Sequence, residues 1–298
     1  MEKNVLLNHI KELTSPVYPE KPGHDIHLGA INNIKCVAFD FYGTMFISAA
    51  GDIGIDENRD EGNVLFFEEA LKACNFKILD EQAGKTGIKE FNQTIERHTN
   101  EMKKQGVDFP EPDVRDIFYD VLTALKRKEV IEGEVTKDVA TLFVVEFEFR
   151  SNTVWPLPDL LTHLENLKKD GFALGIISNS QFYSPLSFEA MTGITVDKFG
   201  FVPDLQKWSY QYGVKKPSRS FYRLFVDELP QFKFQPEEVL YVGNDLNKDV
   251  IPAKHFGMKT ALYVGDKHSI RHEEKDLIDK HFPDLIIDDL SQIKECLE

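Results

Sequence analysis

Residues 34–44 read IKCVAFDFYGT. An apolar run that ends in a carboxylate, Asp40, and then passes into a turn at Gly43 is how a buried parallel strand delivers a side chain to the edge of a sheet. The pattern returns at Phe172–Ser178, at Val239–Gly243 and at Thr260–Val264, with a weaker copy at Asp284–Ile287. Helical patterns separate these runs. Pro158–Asp170 places Leu160, Leu161, Leu164 and Leu167 on one face, with Pro158 near its start and Gly171 just past its end. Ser218–Leu229 and Lys248–Phe256 read similarly. Alternating strands and helices predict an α/β fold, a doubly wound, Rossmann-like parallel sheet that binds its ligand at the carboxyl ends of the strands.

The stretch from 49 to 154 differs in kind, because helical periodicity there is not interrupted by alternating buried strands. Ile88, Phe91, Ile95 and Met102 make one stripe, and Val114, Ile117, Phe118, Val121, Leu122 and Leu125 a cleaner one. Phe143, Val145, Phe147 and Phe149 alternate as a strand would, yet Val139, Phe143, Phe147 and Arg150 follow helical spacing; we read helix. The expected organisation is a surface extension at 1–33 with one short helix at Val5–Leu13, a catalytic core of 34–48 plus 155–298, and a helical domain inserted at 49–154.

With 298 residues, 42% of them hydrophobic and 11% aromatic, the chain can bury a sizeable core. A formal net charge of −15 disfavours nucleic acid as a partner and requires a local basic pocket for any phosphate. Cys36, Cys74 and Cys296 build neither a disulfide framework nor a metal motif, which fits a reducing compartment. The first residues, MEKNVLLNHIKELTSPVYPEK, hold no apolar run of signal-peptide length, and no stretch is long enough to span a bilayer. The expectation is a cytoplasmic protein with no membrane partner; oligomeric state is not legible.

Four polar elements stand after the apolar runs or before a helix. Asp40 can act as a covalent nucleophile, and Gly43 permits a tight turn that aims backbone N–H groups at an anion. Ser178 and Asn179 offer a hydroxyl and an amide to substrate oxygens. In Lys215-Lys216-Pro217 a lysine can neutralise the nucleophile and an incoming oxyanion. In Gly243-Asn244-Asp245-Leu246-Asn247-Lys248-Asp249, two carboxylates four apart fall on one side of a helix start, as hard oxygen ligands of the kind Mg²⁺ takes. Taken singly, each has a bland reading as turn, cap or surface residue.

In this order and spacing, the set resembles the four motifs of the haloacid dehalogenase superfamily over 34–48 and about 155–264, with the 49–154 insertion standing where that family carries a C1-type helical cap. The resemblance implies that Asp40 attacks the substrate, that Thr44, Ser178 and Asn179 position it, and that Lys216 balances charge. It also implies Mg²⁺ held by Asp40, the Tyr42 carbonyl and Asp245, supported by Asp249 and Asn244. One departure stands out: the family's phosphatases carry an acid/base Asp two residues after the nucleophile, and here that residue is Tyr42. A phenol with an ordinary pKa of about 10 is a poor base near neutrality. The favoured expectation is a Mg²⁺-dependent phosphatase of a small phosphorylated metabolite. The alternatives are a metal-independent 2-haloacid dehalogenase, in which Tyr occupies this position, and a catalytically weak or inactive ligand-binding relative.

Two motif echoes are set aside. Gly84-Lys85-Thr86 lacks the first glycine of a P-loop, because position 79 is Leu79. Asp56, Asn58 and Asp60 suggest a calcium loop, yet Gly62 and Glu68 arrive late. Phe46 and Phe182 are candidates to line the pocket.

Overall fold

The computed structural model describes residues 2–48, 60–267, 269 and 282–297. Asp56 and Asn58 of the calcium-like stretch lie outside these. Six parallel strands form one sheet in the order β10-β9-β8-β1-β6-β7. They are β1 (Cys36–Phe39), β6 (Ala173–Ser178), β7 (Phe201–Trp208), β8 (Val239–Gly243), β9 (Lys259–Tyr263) and β10 (Leu285–Ile287). The strand carrying Asp40 at its end is central, paired with β6 on one side and β8 on the other. Val37, Phe39, Leu174, Ile176, Leu240 and Val242 are buried on one side of it, among the leucines predicted on α6 (Leu160–Lys169). The α/β prediction therefore holds, and all three strand ends that carry polar motifs meet at one edge.

The strand β7 is absent from the sequence reading. Pro203 and Asp204 interrupt its pattern, and Pro is admitted to a strand where no ladder N–H is needed, as at a sheet edge. It is the edge strand, with a register irregularity opposite Leu174 and Ile176. The helix expected at Lys248–Phe256 is also altered: one π-helical turn, Leu246–Val250, precedes a short α-helix, Ile251–His255. Asp249 N–H and Val250 N–H both donate to the Asp245 carbonyl, at 2.8 and 3.3 Å, and this widened turn carries the Asp249 side chain under the sheet edge.

Between β2 (Phe46–Ser48) and β5 (Val154–Pro156), which pair antiparallel, the described residues form four helices: α2 (Asp60–Ala73), α3 (Ala83–Lys104), α4 (Val114–Arg127) and α5 (Lys137–Ser151). The ambiguous 143–149 segment is helical, and Gly84-Lys85-Thr86 forms the first turn of α3. Short strands do occur here, contrary to expectation: Lys77–Ile78 (β3) pairs with Ile131–Glu132 (β4). The predicted stripe on α4 is buried throughout, and Phe143 is wedged against Phe67 and Phe118 with ring centroids 4.9 and 5.1 Å away.

The first helix, α1 (Lys3–Leu13), is more than a surface element. Leu6 and Ile10 are buried among side chains of α2, α4 and α5 and of the segment Phe182–Ala190. His9 hydrogen-bonds Glu146 on α5, and Lys3 pairs with Glu189 on α7 (Tyr183–Thr192). Further along, Ile31 N–H donates to the Cys296 carbonyl at 2.7 Å, so the segment is woven into the fold at both ends.

Phe143→Ala should cost about 3–5 kcal/mol, because a fully buried ring at the junction of three others leaves a cavity that rigid neighbours cannot refill. Thermal unfolding of the variant beside the wild type measures the loss.

Candidate active site

The centre of the site is an ammonium group between two carboxylates. Lys216 Nζ lies 2.8 Å from Asp40 Oδ1 and 2.6 Å from Asp249 Oδ1, and its side chain is 2% exposed. Burial alone would lower this lysine, but Asp249 and Asp40 override it and hold its pKa above the ordinary value. Asp249 is fully buried, and its carboxylate is saturated: it accepts from Lys216, from the Tyr241 hydroxyl at 3.2 Å and from the Asp245 N–H at 2.9 Å. Burial nevertheless raises it, with Lys216 opposing. A Cβ at Gly243 would sit 2.4 Å from this carboxylate, which is why the residue closing β8 has none.

Asn179 brackets Lys216 by its backbone. Its Oδ1 accepts from the Lys216 N–H at 2.7 Å, and its Nδ2 donates to the Lys216 carbonyl at 3.2 Å. Asn244 does the same service for the nucleophile's turn: its side chain packs on Gly43, accepts from the Thr44 hydroxyl at 3.3 Å and donates to the Ser269 carbonyl. Gly43 adopts φ +80, and an added Cβ would meet Asn244 Nδ2 at 2.5 Å. Asp245 caps the π-turn, with Oδ1 accepting from the N–H groups of Asn247 and Lys248, both at 2.9 Å.

These groups border a cavity of about 300 Å³. Asp40, Tyr42, Asn179, Lys216, Asn244, Asp245 and Asp249 all line it. Thr44 and Ser178 do not: both are buried beside it, Thr44 turned to Asn244 and Ser178 towards the Asn179 carbonyl at 3.5 Å. Phe46 and Phe182 are elsewhere, one stacked on Phe41 in the core and the other under Arg115. The Tyr42 hydroxyl is buried with no hydrogen-bond partner among the described residues, and burial raises its pKa further above the ordinary phenol range.

The model of the haloacid dehalogenase-like hydrolases matches residues 34–257. The chain belongs to that family. The chain is 31% identical over 143 residues to the glyceraldehyde 3-phosphate phosphatase of Methanothermobacter thermautotrophicus, a match covering 48% of this chain and 58% of that protein. It thus spans little more than half the length of that relative. With the phosphatase of the same name from Methanocaldococcus jannaschii, identity is 23% over 270 residues, covering 89% of this chain and 97% of that one. Among solved structures, the 2-haloacid dehalogenase of Pseudomonas syringae pv. Tomato shares its fold, with TM-score 0.56 and 21% identity over 88% of this chain and 97% of the other. No helix among the described residues is long and apolar enough to cross a membrane.

Sequence reasoning missed the wall contributed by the helical segment. Glu111 and Glu148 both line the cavity. Glu111 accepts from Gln181 Nε2 at 2.7 Å and lies 3.7 Å from Lys215 Nζ. Glu148, on α5, accepts from Asn152 Nδ2 at 3.3 Å, and burial pushes its pKa up to about 7. A signal existed. The α5 sequence KDVATLFVVEFEFRS is apolar nearly all round, so its two central acids had to sit in apolar surroundings, Glu146 buried and Glu148 half-buried at the cavity, and acids so placed need a reason.

Two outcomes follow. Lys216→Met leaves Asp40 and Asp249 without their shared cation and should destabilise by about 3–5 kcal/mol in thermal or chemical unfolding. Because the folded state holds the Glu148 proton more tightly than the unfolded chain, its contribution to stability is present below the unfolded value of 4.5 and is lost as pH rises towards about 7. Glu148→Gln should therefore gain stability relative to wild type between pH 5 and pH 8, by on the order of 2 kcal/mol, read from urea midpoints at the two pH values.

Proposed function

We propose that this hydrolase is a Mg²⁺-dependent phosphatase of a small phosphorylated metabolite, with Asp40 as nucleophile. The observation that carries the reading is the charge of the cavity. Asp40, Asp245, Asp249, Glu111 and Glu148 line it, against Lys215, Lys216 and Lys248. A phosphate dianion entering that field is repelled unless a divalent cation compensates it.

The donor set fits such a cation. Asp40 and Asp245 bring hard carboxylate oxygens to the ends of adjacent strands, and Mg²⁺ binds through one or two carboxylates, keeps waters and takes substrate oxygens. No group of three or more His, Cys, Asp or Glu side chains among the described residues is placed to hold a metal ion by itself. That agrees with Asp249 being spent on Lys216, so that the Tyr42 carbonyl would complete the protein's share. Asn244 and Asp249 would support the site indirectly, one by fixing the Gly43 turn and the other by fixing Lys216 and the Asp245 N–H. When bound, the ion would neutralise phosphoryl oxygens.

In this reading the protein's own groups do the following. Asp40 Oδ attacks phosphorus and becomes an acyl phosphate, which water then cleaves. Lys216 stays protonated, orients the Asp40 carboxylate and offsets charge on the phosphoryl oxygens; Asn179 keeps it in place. Thr44 and Ser178, buried behind the cavity, would act by shaping the turns rather than by touching substrate. The names of the two phosphatase relatives agree with a phosphorylated three-carbon substrate, and 300 Å³ suits a molecule of that size. A cytoplasmic location fits three buried free cysteines.

A second reading is favoured by one residue: Tyr42 suits halide departure, which requires no proton. The two separate in one assay. Hydrolysis of 4-nitrophenyl phosphate should require Mg²⁺, stop with EDTA and fall at least about 10³-fold in Asp40→Asn. Halide release from a 2-haloacid without metal, and no phosphate release, would assign the dehalogenase instead.

A further inference from the structure

The side chain two residues after the nucleophile is badly placed for proton transfer. Its hydroxyl is buried, lacks a hydrogen-bond partner among the described residues and is driven further from neutrality by burial. A phosphatase built on Asp40 still needs a group that gives a proton to the leaving oxygen and takes one from water.

Of the carboxylates lining the cavity, all but one are committed. Asp40 and Asp249 share Lys216, Asp245 caps two backbone N–H groups, and Glu111 is held by Lys215 and Gln181. Glu148 faces no cation among the described residues. Arg150, on the same helix, is turned to Glu146 and Glu69. What holds Glu148 is a neutral chain: the Ser48 hydroxyl donates to Asn152 Oδ1 at 3.1 Å, and Asn152 Nδ2 donates to Glu148 Oε1 at 3.3 Å. Ser48 ends β2, the strand that follows the nucleophile's own turn, so this chain fixes the carboxyl relative to Asp40 across the cavity that both line.

Resting on the phosphatase reading, we propose that Glu148 is the general acid and base of the reaction. In the first step an Asp40 oxygen bonds to phosphorus and the P–O bond to the leaving group breaks. The departing electron pair takes the Glu148 proton, releasing an alcohol. In the second step the Glu148 carboxylate removes a proton from water as the water oxygen bonds to phosphorus. The bond between phosphorus and the Asp40 oxygen breaks, inorganic phosphate leaves, and Glu148 is protonated again. The groups facing Glu148 favour this cycle. Burial raises it to about 7, with Asn152 and the Tyr183 hydroxyl both opposing. Tyr183 on α7 and Tyr42 beyond β1 lie within reach of its charge, and both are neutral phenols.

The test compares wild type, Glu148→Gln and Glu148→Gln/Tyr42→Asp, each checked by thermal unfolding, with Mg²⁺ and either 4-nitrophenyl phosphate or phenyl phosphate. Glu148→Gln is expected to lose about 10²- to 10⁴-fold in steady-state turnover, with the larger loss on phenyl phosphate, whose leaving group needs the proton more. It should still release about one nitrophenolate per enzyme in a rapid burst, because attack by Asp40 survives while water activation does not. Its pH–rate profile should lose the limb near 7, and the double variant should regain turnover. A folded Glu148→Gln with turnover within threefold of wild type overturns the assignment and leaves the phosphatase reading standing. Equal losses on both substrates with no burst and an unchanged pH profile also overturn it, by showing a structural role. Wild type inert on both substrates removes the phosphatase reading, and this assignment with it.

Discussion

A lysine buried between two carboxylates organises the chain. Taking Lys216, Asp40 and Asp249 out of water costs several kcal/mol per ion before any attraction is counted, so the triad persists only where the remaining hydrogen bonds are made. They are made by residues drawn from every strand end around it. Asn179 after β6 brackets the lysine backbone, Tyr241 within β8 reaches Asp249, and the Asp245 N–H reaches it from the π-turn. Remove one of these loops and the others lose their partner. The triad thus ties β1, β6 and β8 together at the carboxyl edge, where the sheet's own hydrogen bonds have ended.

The helical segment and the sheet are also joined through side chains that belong to both. Phe182, Tyr183 and Ala190, from the chain just after β6, are buried with the helices α2, α4 and α5, and α1 closes over this junction with Leu6 and Ile10. Gln181 makes the link polar as well, accepting from the Val114 N–H at 3.0 Å and donating to Glu111. The far wall of the cavity is therefore held against the near wall by packing, and a side chain on α5 can have a fixed relation to Asp40. That rigidity is what allows a group so remote in sequence to be assigned a proton-transfer role.

The near wall was legible and the far wall was not, for a physical reason. Asp40, Asn179 and Asp245 each follow a short apolar run and Lys216 precedes a helix, so local pattern alone carries them to strand ends or to the start of a helix. The strand β7 escaped because Pro203 and Asp204 violate that pattern, which an edge position tolerates. Glu111 and Glu148 face the site only through the tertiary packing of helices, and no local spacing encodes it. The apolar surroundings of Glu146 and Glu148 were visible, but not their fates: Glu146 finds His9 and Arg150, while Glu148 finds only amide and phenol neighbours.

That difference bears on how Tyr42 is to be understood. A phenol in place of an acid would ordinarily argue for chemistry without a proton, as in halide displacement. A phenol carries that implication only where no other carboxyl serves the cavity, and Glu148 lines it. A cavity meant for a 2-haloacid, itself an anion, would gain nothing from the acidic residues that line it here, whereas a divalent cation shared with phosphate would turn Asp40 and Asp245 from repulsive into binding groups. Burial raises Glu148 to about 7, which keeps a proton available near neutral pH. The same low-polarity wall that makes its charge expensive is what tunes it for transfer.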